Sequence, residues 1–274
     1  MSGSTQPIGI FDSGIGGLTV AAAIRQALPH ERLLYFGDTK HLPYGERSLE
    51  EVRAFSTAIA RALMAKGCTL IVIACNTASA AALRSLREEF PHIAFVGMEP
   101  AVKPAAELSL TKNVGVLATT ATFQGELFAS VVERFAQAVN VIQQPCPGLV
   151  QAIEAGDFDA TSTEKMLRAW IEPMLLRNID ALVLACTHYP IVRPLIERIC
   201  GPSVRVIDPA PAVARRVASM LEERDGAAPS DQRGSLMCTT SGDPRAFRAM
   251  LDRLQLPSDD VKQARWNNEM LSLP

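Results

Sequence analysis

The chain has 274 residues, 48% hydrophobic and 20% charged, with 27 lysines and arginines against 29 acids and a formal charge of −2. That length is ample for one or two hydrophobic cores, and the near-neutral balance excludes a long-range field that would draw the chain to nucleic acid or anionic lipid. No stretch reaches the roughly 18 uninterrupted apolar residues of a membrane span, and the opening Met-Ser-Gly-Ser-Thr-Gln-Pro shows no basic segment ahead of an apolar one, so a cytoplasmic enzyme without membrane or nucleic-acid partners is expected.

Short apolar, β-branched runs alternate with amphipathic ones. Ile8 to Phe11 reads as a strand ending in the Gly-rich turn Asp12 to Gly17, after which Leu18, Ala22 and Arg25 begin a helical spacing. Arg32 to Gly37 reads as the next strand. Ser48 followed by Glu51 has the capping-box pattern, and Val52, Phe55, Ile59 and Leu63 mark one face of a helix that ends near Gly67. Thr69 to Ala74 is apolar almost throughout, as a strand covered on both faces should be. The βαβα order implies a parallel sheet with helices on its faces.

The same order then recurs. Asn113 to Thr119 reads as a strand, Gln124 to Ala138 as one amphipathic segment, and Asp180 to His188 closes the unit as Thr69 to Thr77 closed the first. Ile8 and Val114 lie 106 residues apart, Cys75 and Cys186 lie 111 apart, and the near-equal offsets imply two similar lobes. The expected fold is therefore α/β, with two similar lobes, each a mainly parallel sheet flanked by helices, and the active site in the cleft between them. Residues 1–98 plus 208–274 form the expected first lobe and 99–207 the second. Arg205 to Leu221 and Ser235 to Leu254 add strand and helix pairs, the last with Asp243 as N-cap and Pro244 at the first helical position. Ser258 to Pro274 reads as a polar, irregular tail.

In open α/β sheets ligands lie outside the carboxyl ends of the strands, and the chemically rich segments fall at such ends. Asp12 to Gly17 matches neither the P-loop nor the strict dinucleotide spacing, so a phosphate cradle is the weaker reading and a capped strand-to-helix turn the plainer one. The six cysteines, Cys68, Cys75, Cys146, Cys186, Cys200 and Cys238, lie far apart with no C-x-x-C pair, which points to free thiols, most of them small buried residues. Cys75 and Cys186 differ from the rest. Each sits between a strand end and an expected helix N-terminus, where partial positive charge favours thiolate. A lone cysteine so placed is more often inert, but two in matching positions of two lobes offer a base and an acid on opposite faces of one substrate carbon. His188, two residues after Cys186, suits the task of orienting or deprotonating that thiol, with Asp12 as its counterpart in the first lobe. Zinc held by Cys75, Cys186 and His188 is the competing use, but local ligand spacing and a fourth ligand are missing, so no metal is expected.

Taken together, Phe11 to Val20, Phe36 to Ser48, Ala74 to Ala80, Gly97 to Ala101, Pro145 to Gly156 and Leu184 to Pro190 resemble the aspartate/glutamate racemase family, in particular its members that act on glutamate. The resemblance spans most of the chain apart from the tail. It implies cofactor-independent racemisation of L-glutamate to D-glutamate for peptidoglycan synthesis, with Cys75 and Cys186 flanking the substrate Cα as two bases, Asp12 assisting Cys75 and His188 assisting Cys186. It places Asp12, Ser13, Tyr44, Gly45, Asn76, Thr77, Thr119, Thr122, Thr187 and His188 on substrate-binding positions and gives Asp38 and Glu154 supporting roles. The chain departs from the family pattern within Ala118 to Thr122, which has alanine where glycine is common, and within Asp38 to Gly45. Two rivals remain open at this point: a sister racemase acting on aspartate or a hydantoin, and a two-lobed amino-acid-binding sensor in which both cysteines are idle. A homodimer whose association controls cleft opening is a further expectation.

Overall fold

The computed structural model describes residues 6–224, 226–256 and 258–274. In chain order its elements begin with β1 (Ile8–Asp12), α1 (Leu18–Ala27), β2 (Arg32–Gly37), α2 (Leu49–Ala65), β3 (Leu70–Ile73), α3 (Asn76–Glu89), β4 (Ala94–Gly97) and α4 (Val102–Leu108). They continue with β5 (Asn113–Ala118), α5 (Thr120–Gln124), α6 (Glu126–Phe135), β6 (Asn140–Pro145), α7 (Leu149–Glu154), α8 (Thr161–Leu175), β7 (Ala181–Ala185), α9 (Arg193–Cys200) and β8 (Arg205–Ile207). The last are α10 (Ala210–Glu222), β9 (Ser235–Thr240), α11 (Pro244–Arg253), β10 (Asp260–Gln263), β11 (Arg265–Asn267) and β12 (Met270–Ser272).

Two parallel sheets carry the fold, one in the order β10-β9-β2-β1-β3-β4 and the other β6-β5-β7-β8. The second repeats the inner order β2-β1-β3-β4 of the first. Pairing confirms the internal likeness residue by residue: Phe11 faces Ile73 across β1 and β3, and Leu117 faces Leu184 across β5 and β7. Counting on from these pairs, Ser13 corresponds to Thr119, Cys75 to Cys186 and Thr77 to His188. In each sheet the chain leaves the middle strands in opposite directions, so the crevice at their carboxyl ends is a topological switch point.

Both faces of each sheet are covered, which is why the central strands β3 and β7 are apolar at every position. Ile8, Ile10, Leu70 and Val72 join one core with α1 and α10, while Phe11, Ile71 and Ile73 point the other way into a core with α2 and α3. The first of these cores also contains Leu117, Leu182 and Leu184 of the second sheet, so buried apolar contact continues from one sheet to the other. The capping box predicted for α2 is present, with Glu51 N–H donating to Ser48 Oγ and the Glu51 carboxylate accepting from Ser48 N–H. No helix among the described residues is long and apolar enough to cross a membrane.

The amphipathic segment expected over Gln124 to Ala138 is present as α6, set off from α5 by extended Gly125, whose Cα lies so close to Ala80 that a Cβ there would come within 2.5 Å of the alanine methyl. The expectation of an irregular tail fails, because the tail is ordered. Strand β10 pairs in parallel with β9, and β11 and β12 form an antiparallel hairpin that brings Leu271 into the core beside α2. Strands of three or four residues are too short to show a period, and their pairing partners lie elsewhere in the chain.

Candidate active site

Strand β1 delivers Asp12 to the crevice; Gly14 and Gly16 after it let segments of the second lobe approach, and Gly17 lets the end of β3 approach. A Cβ on Gly14 would collide with Glu154 Oε1, one on Gly16 would lie 2.5 Å from His188 Nδ1 and 2.7 Å from the His188 backbone nitrogen, and one on Gly17 would lie 2.9 Å from the carbonyl oxygen of Ala74. None of the three has positive φ among the described residues, so space rather than conformational freedom calls for glycine here. Gly16→Ala should therefore lower turnover by about 10-fold or more, because backbone atoms of His188 would have to move. A kinetic comparison with parent protein of equal melting temperature checks this.

Each thiol heads a short relay. Cys75 is the N-cap of α3; its Sγ accepts from Ala78 N–H at 3.4 Å and lies 4.0 Å from Ser13 Oγ, which in turn donates to Asp12 Oδ1 at 3.3 Å. Cys186 Sγ lies 3.9 Å from His188 Nδ1, and His188 Nε2 lies 2.7 Å from Glu154 Oε1. Both relays are tied to the opposite lobe at their far ends: Thr187 Oγ1 donates to Asp12 Oδ2 at 2.8 Å, and Ile15 N–H donates to Glu154 Oε1 at 2.8 Å. Asp12 and His188 are buried, at 0% and 1% exposed.

The electrostatics differ between the two sides. Burial pushes the Cys75 thiol far above its ordinary value, the neighbouring Asp12 charge adds to this, and the Ala78 and Ser13 hydrogen bonds do not offset it. The helix N-terminus was expected to favour thiolate at Cys75; desolvation is the larger effect. Burial opposes charge on His188 too, but hydrogen bonds to Cys186 and Glu154 outweigh it and hold the imidazole well above its usual range. Burial raises Asp12 against the pull of His188 and the Gly14 and Thr187 donors. Cys186 is followed by a 3₁₀ turn, Tyr189–Val192, before α9, so it does not cap an α-helix as Cys75 does.

Cys75 and Cys186 line one cavity of about 60 Å³, together with Ser13, Tyr44, Gly45, Asn76, Thr77, Thr119, Thr187 and His188. Among the described residues no lysine or arginine lines it. Thr77 Oγ1 is hydrogen-bonded to Thr119 Oγ1 at 2.9 Å across the two lobes, and the Asn76 side-chain amide is buried with neither polar atom partnered among the described residues. Four residues expected at the site do not line the cavity. Asp12 and Glu154 stand behind Ser13 and His188, Thr122 braces Thr77 and Thr119 through its hydroxyl, and Asp38 bonds to Tyr44.

Relatives share this architecture along nearly the whole chain. The glutamate racemase of Roseiflexus sp. (strain RS-1) is 49% identical over 95% of this chain and 96% of its own. The structure of glutamate racemase from Francisella tularensis in complex with D-glutamate superposes with a TM-score of 0.83 at 30% identity, covering 94% of this chain and 96% of that one. Escherichia coli glutamate racemase, in complex with L-glutamate and the activator UDP-MurNAc-Ala, gives 0.82 at 31% identity over 94% and 98%. The family model described as Asp/Glu/Hydantoin racemase matches residues 18–217.

The chain belongs to the aspartate/glutamate/hydantoin racemase family.

It is an isomerase of the amino-acid racemase class. The cavity also has walls that local sequence reasoning did not single out: Pro43, Glu46, Thr120, Cys146, Pro147, Gly148, Val150 and Gln151. Most lie in two segments noticed only as family motifs, Phe36 to Ser48 and Pro145 to Gly156. Nothing in either segment taken alone signals that Gln151 Nε2 of α7 donates to Glu46 Oε1 beside Tyr44. The racemase's Cys146 is buried, and that burial pushes its thiol up.

Proposed function

We propose that the protein interconverts L- and D-glutamate without a cofactor, by a two-base mechanism in which Cys75 and Cys186 exchange protons with opposite faces of Cα. The observation that carries this reading is that the two thiols enter one cavity from corresponding positions of different sheets, each with its own relay. One thiolate takes the Cα proton, forming S–H and leaving the electron pair on carbon; the opposite thiol then gives its proton to the other face. His188, between Cys186 and Glu154, takes or returns the proton of Cys186. Asp12 assists Cys75 through Ser13 rather than by direct contact.

A dicarboxylic amino acid needs many donors. The N–H groups at the start of α3, the hydroxyls of Ser13, Thr77, Thr119 and Thr187 and the unpartnered Asn76 amide supply them where no basic side chain does. Tyr44 and Gly45 complete the substrate wall, while Thr122 and Asp38 act from behind it. Relatives crystallised with D-glutamate and with L-glutamate support glutamate as the substrate. The same reading divides the chain into lobes of residues 1–98 with 208–274 and of 99–207, whose relative movement admits substrate to the cavity. Provision of D-glutamate for peptidoglycan, in the cytoplasm and by a homodimer, belongs to this proposal as well.

Incubation with L-glutamate in D₂O should yield D-glutamate carrying deuterium at Cα. Binding without exchange would identify an amino-acid sensor, and faster turnover of aspartate or a hydantoin would reassign the substrate.

A further inference from the structure

The buried carboxylate of Asp38 links the C-terminal segment to the cavity wall. Asp38 is 0% exposed, and each of its oxygens takes two donors. Oδ2 accepts from Tyr44 Oη at 2.7 Å and lies 2.9 Å from His41 Nδ1; Oδ1 accepts from Ser241 Oγ at 2.8 Å and Trp266 Nε1 at 2.9 Å. Four donors fill the acceptor capacity of a carboxylate. Two come from the loop that carries Tyr44, and two come from more than 200 residues further along the chain.

Tyr44 and Gly45 line the cavity, and the turn they form has little room to move. On one side a Cβ on Gly45 would lie 2.8 Å from the Thr119 side chain of the second lobe; on the other the Tyr44 hydroxyl is held by Asp38. The Trp266 indole packs edge-on to His41 and Phe55, with ring centroids 5.0 and 5.9 Å away, and this fixes the direction of its N–H.

We propose that the C-terminal hairpin is part of the racemase site, with Trp266 as a positioning residue that acts through Asp38 to hold the Tyr44–Gly45 turn against the cavity. Trp266 does not line the cavity. Its contribution is to set where the turn's polar groups stand before substrate arrives, so its loss weakens binding more than it slows proton transfer. The proposal rests on this cavity being the racemisation site.

Trp266→Phe keeps a ring in place and removes only the donor. The expected result is a rise in KM for glutamate of about 5- to 10-fold with kcat changed by less than about 2-fold. Combined with Tyr44→Phe, its effect should be strongly non-additive, because both act through one carboxylate. A readout independent of substrate accompanies the kinetics: iodoacetamide should alkylate Cys75 or Cys186 several-fold faster in Trp266→Phe, with Cys68 and Cys238 unchanged as internal controls. Ser241→Ala, which removes the other donor to Oδ1 without touching the aromatic packing, should move both readouts the same way if Trp266→Phe does not fold. Parental KM and parental alkylation in a folded variant, full additivity with Tyr44→Phe, or a loss confined to kcat and melting temperature would each overturn the proposal. Failure of the parent protein to racemise glutamate would instead overturn the substrate assignment, and the alkylation comparison would still decide the role of Trp266.

Discussion

Cys75→Ser and Cys186→Ser are each expected to lower racemisation of glutamate by about 10³-fold or more, the scale of a lost general acid or base. Serine matches cysteine closely in shape, so the melting temperature should fall by no more than about 4 °C, the effect of roughly 1 kcal/mol in a chain of this size. What replaces racemisation is more informative than the loss itself. With one thiol left, a proton can be removed from and returned to one face only. One variant should therefore wash deuterium out of Cα-deuterated L-glutamate and the other out of the D enantiomer, each without inversion. Chiral chromatography with mass detection reads both quantities. Parental racemisation by either variant, or washout from the same enantiomer by both, would break the assignment of one thiol to each face.

Glu154→Gln should act on stability and pH dependence together. His188 Nε2 lies 2.7 Å from Glu154 Oε1, with the His188 side chain 2% and the Glu154 side chain 16% exposed. Burial works against the imidazolium, yet Cys186 and Glu154 together hold His188 well above its ordinary value near 6.5. A group raised on folding contributes stability that is fully present below its unfolded value and is lost as pH climbs through its folded one. The variant should accordingly be less stable by about 2 to 4 kcal/mol at pH 6, because an imidazolium is left buried beside a neutral amide. The deficit should narrow as the pH is raised through the folded value of His188. In the same variant the limb of the pH–rate profile governed by His188 should move to lower pH. Denaturant unfolding at pH 6 and at pH 10, together with a pH–kcat/KM profile, tests both; a deficit equal at the two pH values would show that Glu154 matters only through its bond to Ile15 N–H.

Where a feature is written in neighbouring residues, the sequence shows it. Ser48 and Glu51 form their capping box, the apolar run at Leu70–Ile73 is a strand covered on both faces, and Asp243 caps α11 with Pro244 behind it. The 106- and 111-residue offsets between the two units reappear as the Phe11–Ile73 and Leu117–Leu184 pairs of two equivalent sheets. The clustering of Cys75, Asn76 and Thr77 with Cys186, Thr187 and His188 is likewise legible, because strand ends deliver local motifs to the crevice.

Some expectations could be corrected only by the folded chain. The Gly-rich turn after β1 looks like a need for backbone freedom; Gly14 and Gly16 instead make room for Glu154 and His188, which lie over 130 residues away in sequence, and Gly17 for Ala74. Cys75 carries the local signature of a stabilised thiolate, but the fold buries it beside Asp12 and reverses the balance. The polar tail shows no period, and its indole N–H ends on Asp38.

By itself the sequence determined the α/β alternation, the duplication and the two cysteine motifs, since helical period, caps and strand burial depend on residues a few positions apart. Tertiary structure alone decided that Glu154 stands behind His188, how the lobes are cross-tied and why the tail matters. Those contacts join groups far apart along the chain, and desolvation depends on everything packed around a group rather than on its sequence neighbours.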